Sequence, residues 1–373
     1  MTTSLPSIAI APDRMAPGPA LPAPAFFAPN RVWRCYRGGL LLDRFLGRES
    51  DVDGHLPEEW LASTTAAENG ERSLGPHEGL SRIRLADGTA GPLLRDALGD
   101  ERIAVLCKFL DSAVRLPIQC HPDRAFARAH YGSEHGKTES WLILDTRIID
   151  GEEPYVLIGF QPGVAAADFA RAVESQDIEA MVAMLHRIPV KPGDAFLIPG
   201  RIPHAIGPGV LMLEVQEPSD WVVQVERSCA GTPLSDRDRW GPLDPATAMA
   251  CFDYGSEPMA VLRERLAMRP REIARTVACT HERLQATATT DAFRIDRLRM
   301  RAAFSFVPDV PRHIGIVTDG SGCVAIAGRT TPLVRGDAFL VPSGIARVDY
   351  HPDPDHGLTV HVIAGPTLRQ DAP

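Results

Sequence analysis

The sequence predicts a mainly β chain of β-barrel or jelly-roll type, with helices added mostly in its first half. Three observations carry this. The run Gly193-Asp194-Ala195-Phe196-Leu197-Ile198-Pro199-Gly200 recurs almost unchanged as Gly336-Asp337-Ala338-Phe339-Leu340-Val341-Pro342-Ser343, which points to two copies of one β supersecondary unit. Short apolar runs closed by Pro-Gly-Asp, Pro-Gly and Pro surround each copy, the pattern of strand, turn and strand. Helical periodicity is concentrated in a few earlier segments.

Taken in order, residues 1–25 are rich in Pro and Ala without periodicity and read as a flexible leader. A first strand is expected over Asn30–Arg34, broken by Gly38-Gly39, and a second over Pro57–Thr64. Residues 66–83 are loop-rich, 92–100 read as a short helix, and Ile103–Leu110 is an apolar, buried run. Pro122–His130 reads as a helical turn or loop with Asp123, Arg124 and Arg128 outward. Tyr155–Phe160 is a strand. Residues 166–187 carry a helical pattern, with Phe169 and Val173 four apart and Ile178, Met181, Val182 and Leu185 at i, i+3, i+4, i+7; the Met residues there read as core filler. Ile188–Ile206 reads as strand–turn–strand, followed by strands Val210–Gln216 and Trp221–Val225. A partly helical stretch over 245–276 leads to a second block of strands from about Phe293 to Ile363. The expected division is a leader (1–25), a first unit with helical insertions (26–235), a connector (236–280) and a second unit (281–373).

The bulk numbers narrow the function. The 373 residues are 44% hydrophobic and 23% charged, an ordinary globular composition. A net charge of -9, with no Lys/Arg block, argues against nucleic acid as a partner. No apolar stretch approaches the roughly 20 residues of a membrane span. The seven cysteines are scattered without a CxxC pair, which fits reduced thiols in a cytoplasmic protein.

The chemistry concentrates in residues 117–144. Gln119 and His121 are two apart, as are Lys137 and Glu139, so on strands each pair shares a face. If both faces line one cavity, an imidazole, a carboxylate, an amide oxygen and an ammonium converge, and burying such a set requires something cationic or reactive among them. His204 follows a Pro-rich turn, well placed for a barrel mouth. With His121 and Glu139 it makes two imidazoles and a carboxylate, with Gln119 as an additional oxygen donor. Three protein ligands with an open position is the pattern of catalytic zinc, and two histidines with a carboxylate also suit non-haem iron. The repeat differs here: His204 lies eleven residues past Gly193, whereas Arg347 lies eleven past Gly336. The first unit is therefore expected to be the active one, the second to be metal-free.

Three stretches together resemble the type I mannose-6-phosphate isomerases, the zinc-dependent phosphomannose isomerases of the cupin superfamily. They are Ile118-Gln119-Cys120-His121-Pro122-Asp123, Gly136-Lys137-Thr138-Glu139-Ser140-Trp141, and Pro192-Gly193-Asp194 leading to His204-Ala205-Ile206. Leu213-Glu214-Val215-Gln216 followed by Ser219-Asp220 extends the likeness, which covers roughly 27–226 well and the C-terminal unit loosely. The resemblance implies two cupin-type jelly rolls. It also implies one Zn²⁺ per chain held by Gln119, His121, Glu139 and His204, with Lys137 in the active site and a small phosphorylated sugar as substrate. The chain departs from the family after Ser219-Asp220. Where the family places an active-site Arg, this chain has Gln224, which keeps hydrogen-bonding capacity but loses the charge and the bidentate fork. Arg227, three residues on, falls on the other strand face.

The implied reaction interconverts mannose 6-phosphate and fructose 6-phosphate through a cis-enediol. Zinc would polarise the carbonyl, and a base must reach the transferred proton. Lys137, a metal-bound hydroxide, Glu214 and Glu217 are the candidates. The alternatives are a non-catalytic sugar-phosphate-binding cupin, an isomerase of a different sugar, and an iron-dependent cupin dioxygenase.

Overall fold

The computed structural model describes residues 21–99 and 103–366; the expected leader lies largely outside these residues. Among the described residues strands dominate, with eight short α-helices between them. Three sheets organise the chain. A six-stranded sheet contains Glu58–Leu61, Leu106–Ser112, Glu139–Thr146, Ala195–Ile198 and Val210–Gln216. A five-stranded sheet contains Gln119–Cys120, Tyr155–Phe160, Leu185–Pro189, His204–Ile206 and Val223–Gln224. The two face each other across one apolar cluster. Leu110, Trp141, Ile143, Phe196 and Met212 come from the first sheet, and Val156, Ile158, Ile188 and Ile206 from the second. Alternation along each strand produces this: Trp141 and Ile143 point into that layer, while Leu142 points to the opposite one.

The outer face of the five-stranded sheet is covered by helices. Phe169, Val173 and Met181, from helices Ala166–Ser175 and Ile178–Ala183, pack on Leu157 and Phe160. The single helical pattern expected over 166–187 is thus two helices. Gln176 adopts a left-handed conformation (φ 55°) and Asp177 caps the next helix by accepting from the Ala180 N–H. The pattern also ends early: Leu185 belongs to a strand, where period 2 rather than 3.6 places it in the core. Leu94–Leu98 is helical and Tyr155–Phe160 is a strand, as expected, whereas only Val223–Gln224 of the expected strand 221–225 is paired.

The third sheet has ten strands, from Arg269–Arg275 through Leu358–Ala364, together with Ala25–Phe26. Strands therefore begin well before Phe293, and the connector is helical at Asp236–Trp240, Pro245–Met249 and Met259–Leu266. This sheet packs on the outer face of the six-stranded sheet. Ile295, Ile314, Leu340 and Ile363 meet Cys107, Phe109, Leu213 and Val215. The repeated octapeptides adopt matching structures. Gly193 and Gly336 both have φ 93°, a value that favours glycine, and Asp194 and Asp337 accept from the Lys191 and Val334 N–H groups. Each turn then launches a strand, Ala195–Ile198 and Ala338–Val341.

Candidate metal centre

Strand order brings the first histidine to the second. Gln119–Cys120 lies between His204–Ile206 and Val223–Gln224, with Gln119 as register partner of both His204 and Gln224. Glu139 arrives from the opposite sheet, where it pairs with Ile198 and Gln216. The turn after His121 is gripped from two sides. The Arg201 N–H donates to the His121 carbonyl (2.6 Å) and the Lys137 N–H to that of Pro122 (2.9 Å). Gly136 and Gly200 make this approach possible, because a Cβ on either would lie within 2.9 Å of the backbone of Pro122, Asp123 or Arg124. Asp123 then caps helix Arg124–Tyr131 by accepting from the Phe126 N–H.

His121, Glu139 and His204 are each about 1% exposed and offer ligand atoms within 4.8 Å of one another. His121 Nε2 is 3.2 Å from His204 Nε2 and 3.3 Å from Glu139 Oε2; His204 Nε2 is 3.5 Å from Glu139 Oε1. Both Nδ1 atoms face backbone carbonyls, that of Trp221 at 2.9 Å and that of Ile202 at 2.8 Å. A carbonyl only accepts, so each Nδ1 carries the proton and each Nε2 turns a lone pair inward. Burial, followed for His121 by the Lys137 charge, holds both imidazoles below the usual histidine range. Glu139 Oε2 has no hydrogen-bond partner, while Oε1 accepts from Trp141 Nε1 at 3.0 Å. Two inward lone pairs beside an under-satisfied buried carboxylate oxygen form a donor set that suits a divalent ion. Lys137 Nζ, 3.2 Å from His121 Nε2 and 3.7 Å from Glu139 Oε2, supplies positive charge beside the set. Burial and the Lys108 charge lower its pKa, opposed by Glu139.

The centre adjoins a cavity of about 880 Å³ onto which Gln119, Lys137, Glu214 and Gln224 open. Gln119 is half-buried on the same sheet face as His204. Gln224 donates its Nε2–H to the Asp238 carbonyl at 2.8 Å. Arg227 does not enter the cavity; its guanidinium donates to the Glu174 carbonyl on the surface. Of the acids weighed as a base, Glu217 is committed to Arg124 (2.6 Å) and the Thr138 N–H (3.0 Å). Glu214 faces the cavity, with Lys108 at 2.9 Å and Trp141 Nε1 at 3.3 Å.

Behind the site runs a charge network that sequence reasoning missed. Lys108 also approaches Glu58 (3.8 Å), and Arg34 joins Glu58 and Asp220, both at 3.0 Å. Although burial pushes the Glu58 carboxyl up, Arg34 and Lys108 bring it down to about 2. The available signal was a lysine inside the apolar run Leu106-Cys107-Lys108-Phe109-Leu110. A cation there needs a buried partner, and the run alone does not say which.

Sheet architecture and centre together define a mainly β protein of cupin type with a buried two-histidine, one-carboxylate cluster. Residues 312–367 match the AraC-like ligand binding domain model. Mannose-6-phosphate isomerase ManA of Bacillus subtilis is 25% identical over 260 residues, 66% of this chain and 72% of that protein. Putative mannose-6-phosphate isomerase YvyI of the same organism is 26% identical over 329 residues, 86% and 93% of the two chains. The crystal structure of the Bacillus subtilis mannose 6-phosphate isomerase superposes with a TM-score of 0.68 at 22% identity. It covers 92% of this chain and 99% of that one, so the fold is shared along almost the whole length. In sequence over most of its length, and in fold, the chain is thus similar to mannose-6-phosphate isomerases.

Proposed function

We propose that this chain is a metal-dependent aldose–ketose isomerase that interconverts mannose 6-phosphate and fructose 6-phosphate, with one Zn²⁺ held by His121, Glu139, His204 and Gln119. The observation that carries the reading is the pair of inward Nε2 lone pairs 3.2 Å apart, with Lys137 Nζ beside them and a cavity in front. A zinc ion bound there would supply a Lewis acid for the sugar's carbonyl oxygen. Trp221 and Ile202 orient the imidazoles through their carbonyls, and Trp141 orients Glu139. Lys137 Nζ stands where it can hold a proton or donate to a sugar oxygen, and Glu214 is the carboxylate facing the same space. Glu217 is set aside as a base because both its oxygens are engaged elsewhere. Gln224 lines the cavity with its amide turned to the Asp238 carbonyl.

The test is a coupled assay with mannose 6-phosphate on metal-quantified protein, beside His121→Ala. Loss of metal and turnover together is expected, and full activity in a metal-free His121→Ala protein would refute the ligand assignment. A second reading, an isomerase of a different sugar, draws on the neutral Gln224 at a position facing the cavity. Turnover of another aldose, with none on mannose 6-phosphate, would select it.

A further inference from the structure

Five cationic side chains line the cavity: Arg34, Arg72, Lys108, Lys137 and Arg237. An anionic substrate group needs one that is not already neutralised. Arg34 is bound by Glu58 and Asp220, and Lys108 by Glu214. Lys137 lies against His121 and Glu139. Arg72 stacks over Trp33, donates to the Pro233 carbonyl at 2.7 Å and pairs with Asp238 at 3.4 Å. Arg237 is exposed at the rim, and its guanidinium makes no hydrogen bond or ion pair among the described residues. Two exposed carboxylates, Glu68 and Glu71, also stand on the rim and disfavour an anion near themselves.

Position matters as much as charge. His204, Gln119 and Gln224 are successive register partners across adjacent strands, so residue 224 lies roughly 10 Å from residue 204, two strand spacings away. An open-chain hexose 6-phosphate spans roughly 8 Å from its carbonyl end to phosphorus. A sugar with its carbonyl at the histidines therefore reaches the neighbourhood of Gln224. The Gln224 amide is given to the Asp238 carbonyl, which ties that position to the residue after Arg237. We infer that Arg237 is the phosphate-binding residue of this chain, lending the charge that Gln224 lacks. The inference rests on the reading of the substrate as a phosphorylated sugar.

The experiment is calorimetric titration of metal-loaded full-length protein with mannose 6-phosphate and with mannose, alongside turnover, for wild type, Arg237→Ala and Arg237→Lys. One lost charge-assisted contact predicts mannose 6-phosphate binding about 10- to 100-fold weaker in Arg237→Ala, with partial recovery in Arg237→Lys. The fall in kcat/KM should be carried mainly by KM, with metal content, melting temperature and mannose binding as in wild type. Arg237-dependent binding without wild-type turnover would sustain the subsite and overturn the isomerase reading. Arg237→Ala binding mannose 6-phosphate as tightly as wild type would overturn the subsite whatever the turnover. An equal loss of mannose and mannose 6-phosphate binding would overturn it too, and no binding by wild type would overturn both.

Discussion

Replacing Lys108 by Met tests whether the buried network behind the cavity holds the six-stranded sheet together. Lys108 and Glu214 lie opposite each other in register on neighbouring strands, each about 3% exposed, with Nζ 2.9 Å from Oε2. At an effective dielectric of 20 that pair attracts by about 6 kcal/mol, and the 3.8 Å approach to Glu58 adds about 4 kcal/mol. The desolvation of the ammonium, which the methionine does not suffer, offsets much of this. What remains is the cost of a buried carboxylate without its cation, about 3–5 kcal/mol. Glu58 keeps Arg34, Tyr36 and Trp60, so the deficit falls on Glu214, left with Trp141 alone. For a chain of this length the loss lowers the melting temperature by about 4–6 °C, read by thermal unfolding of metal-free protein. Lys108→Met/Glu214→Gln should recover most of the loss, because no buried charge is then unpaired. A single variant melting within about 1 °C of wild type, or a double variant no better than the single, would refute the reasoning.

Other consequences can be checked in the same way. Lys137→Met should keep its metal by elemental analysis yet lose at least about 100-fold in kcat; undiminished turnover would remove Lys137 from the chemistry. Gly200→Ala drives a Cβ to 2.8 Å from the Asp123 backbone and should cost about 1–3 kcal/mol while loosening metal, because Arg201 holds the His121 carbonyl; unaltered stability and metal affinity would contradict this. His313 is buried with neither ring nitrogen partnered, and burial lowers its pKa to about 4. The folded state holds it neutral, so stability is fully present above pH about 6.5 and falls by up to about 3 kcal/mol as pH drops through the folded value. His313→Phe should flatten that acid limb of the denaturant midpoint against pH, and an unchanged profile would assign the limb to other groups. A chelator should abolish turnover, and added Zn²⁺ should restore it.

Much of the site was legible because its signals are local. Two-residue spacing places Gln119 with His121, and Lys137 with Glu139, by the pleat alone. The repeated Gly-Asp turns announced their strands because glycine at φ 93° is a backbone requirement visible in the residue type. Local patterns misjudged lengths where two periods meet, as at Leu185, whose place in the helical series fits a strand equally well once a sheet edge is available. What the sequence determined by itself was which residues could share a face and where the chain had to turn. Tertiary structure decided which faces meet: that His204, 83 positions from His121, brings its Nε2 to 3.2 Å, and that two distant carbonyls orient the rings. It also decided that Lys108 finds Glu214 and that Gln224 turns its amide to Asp238. The physical reason is that pairing across a sheet depends on strand order and burial over the whole chain, which no window of neighbouring residues contains.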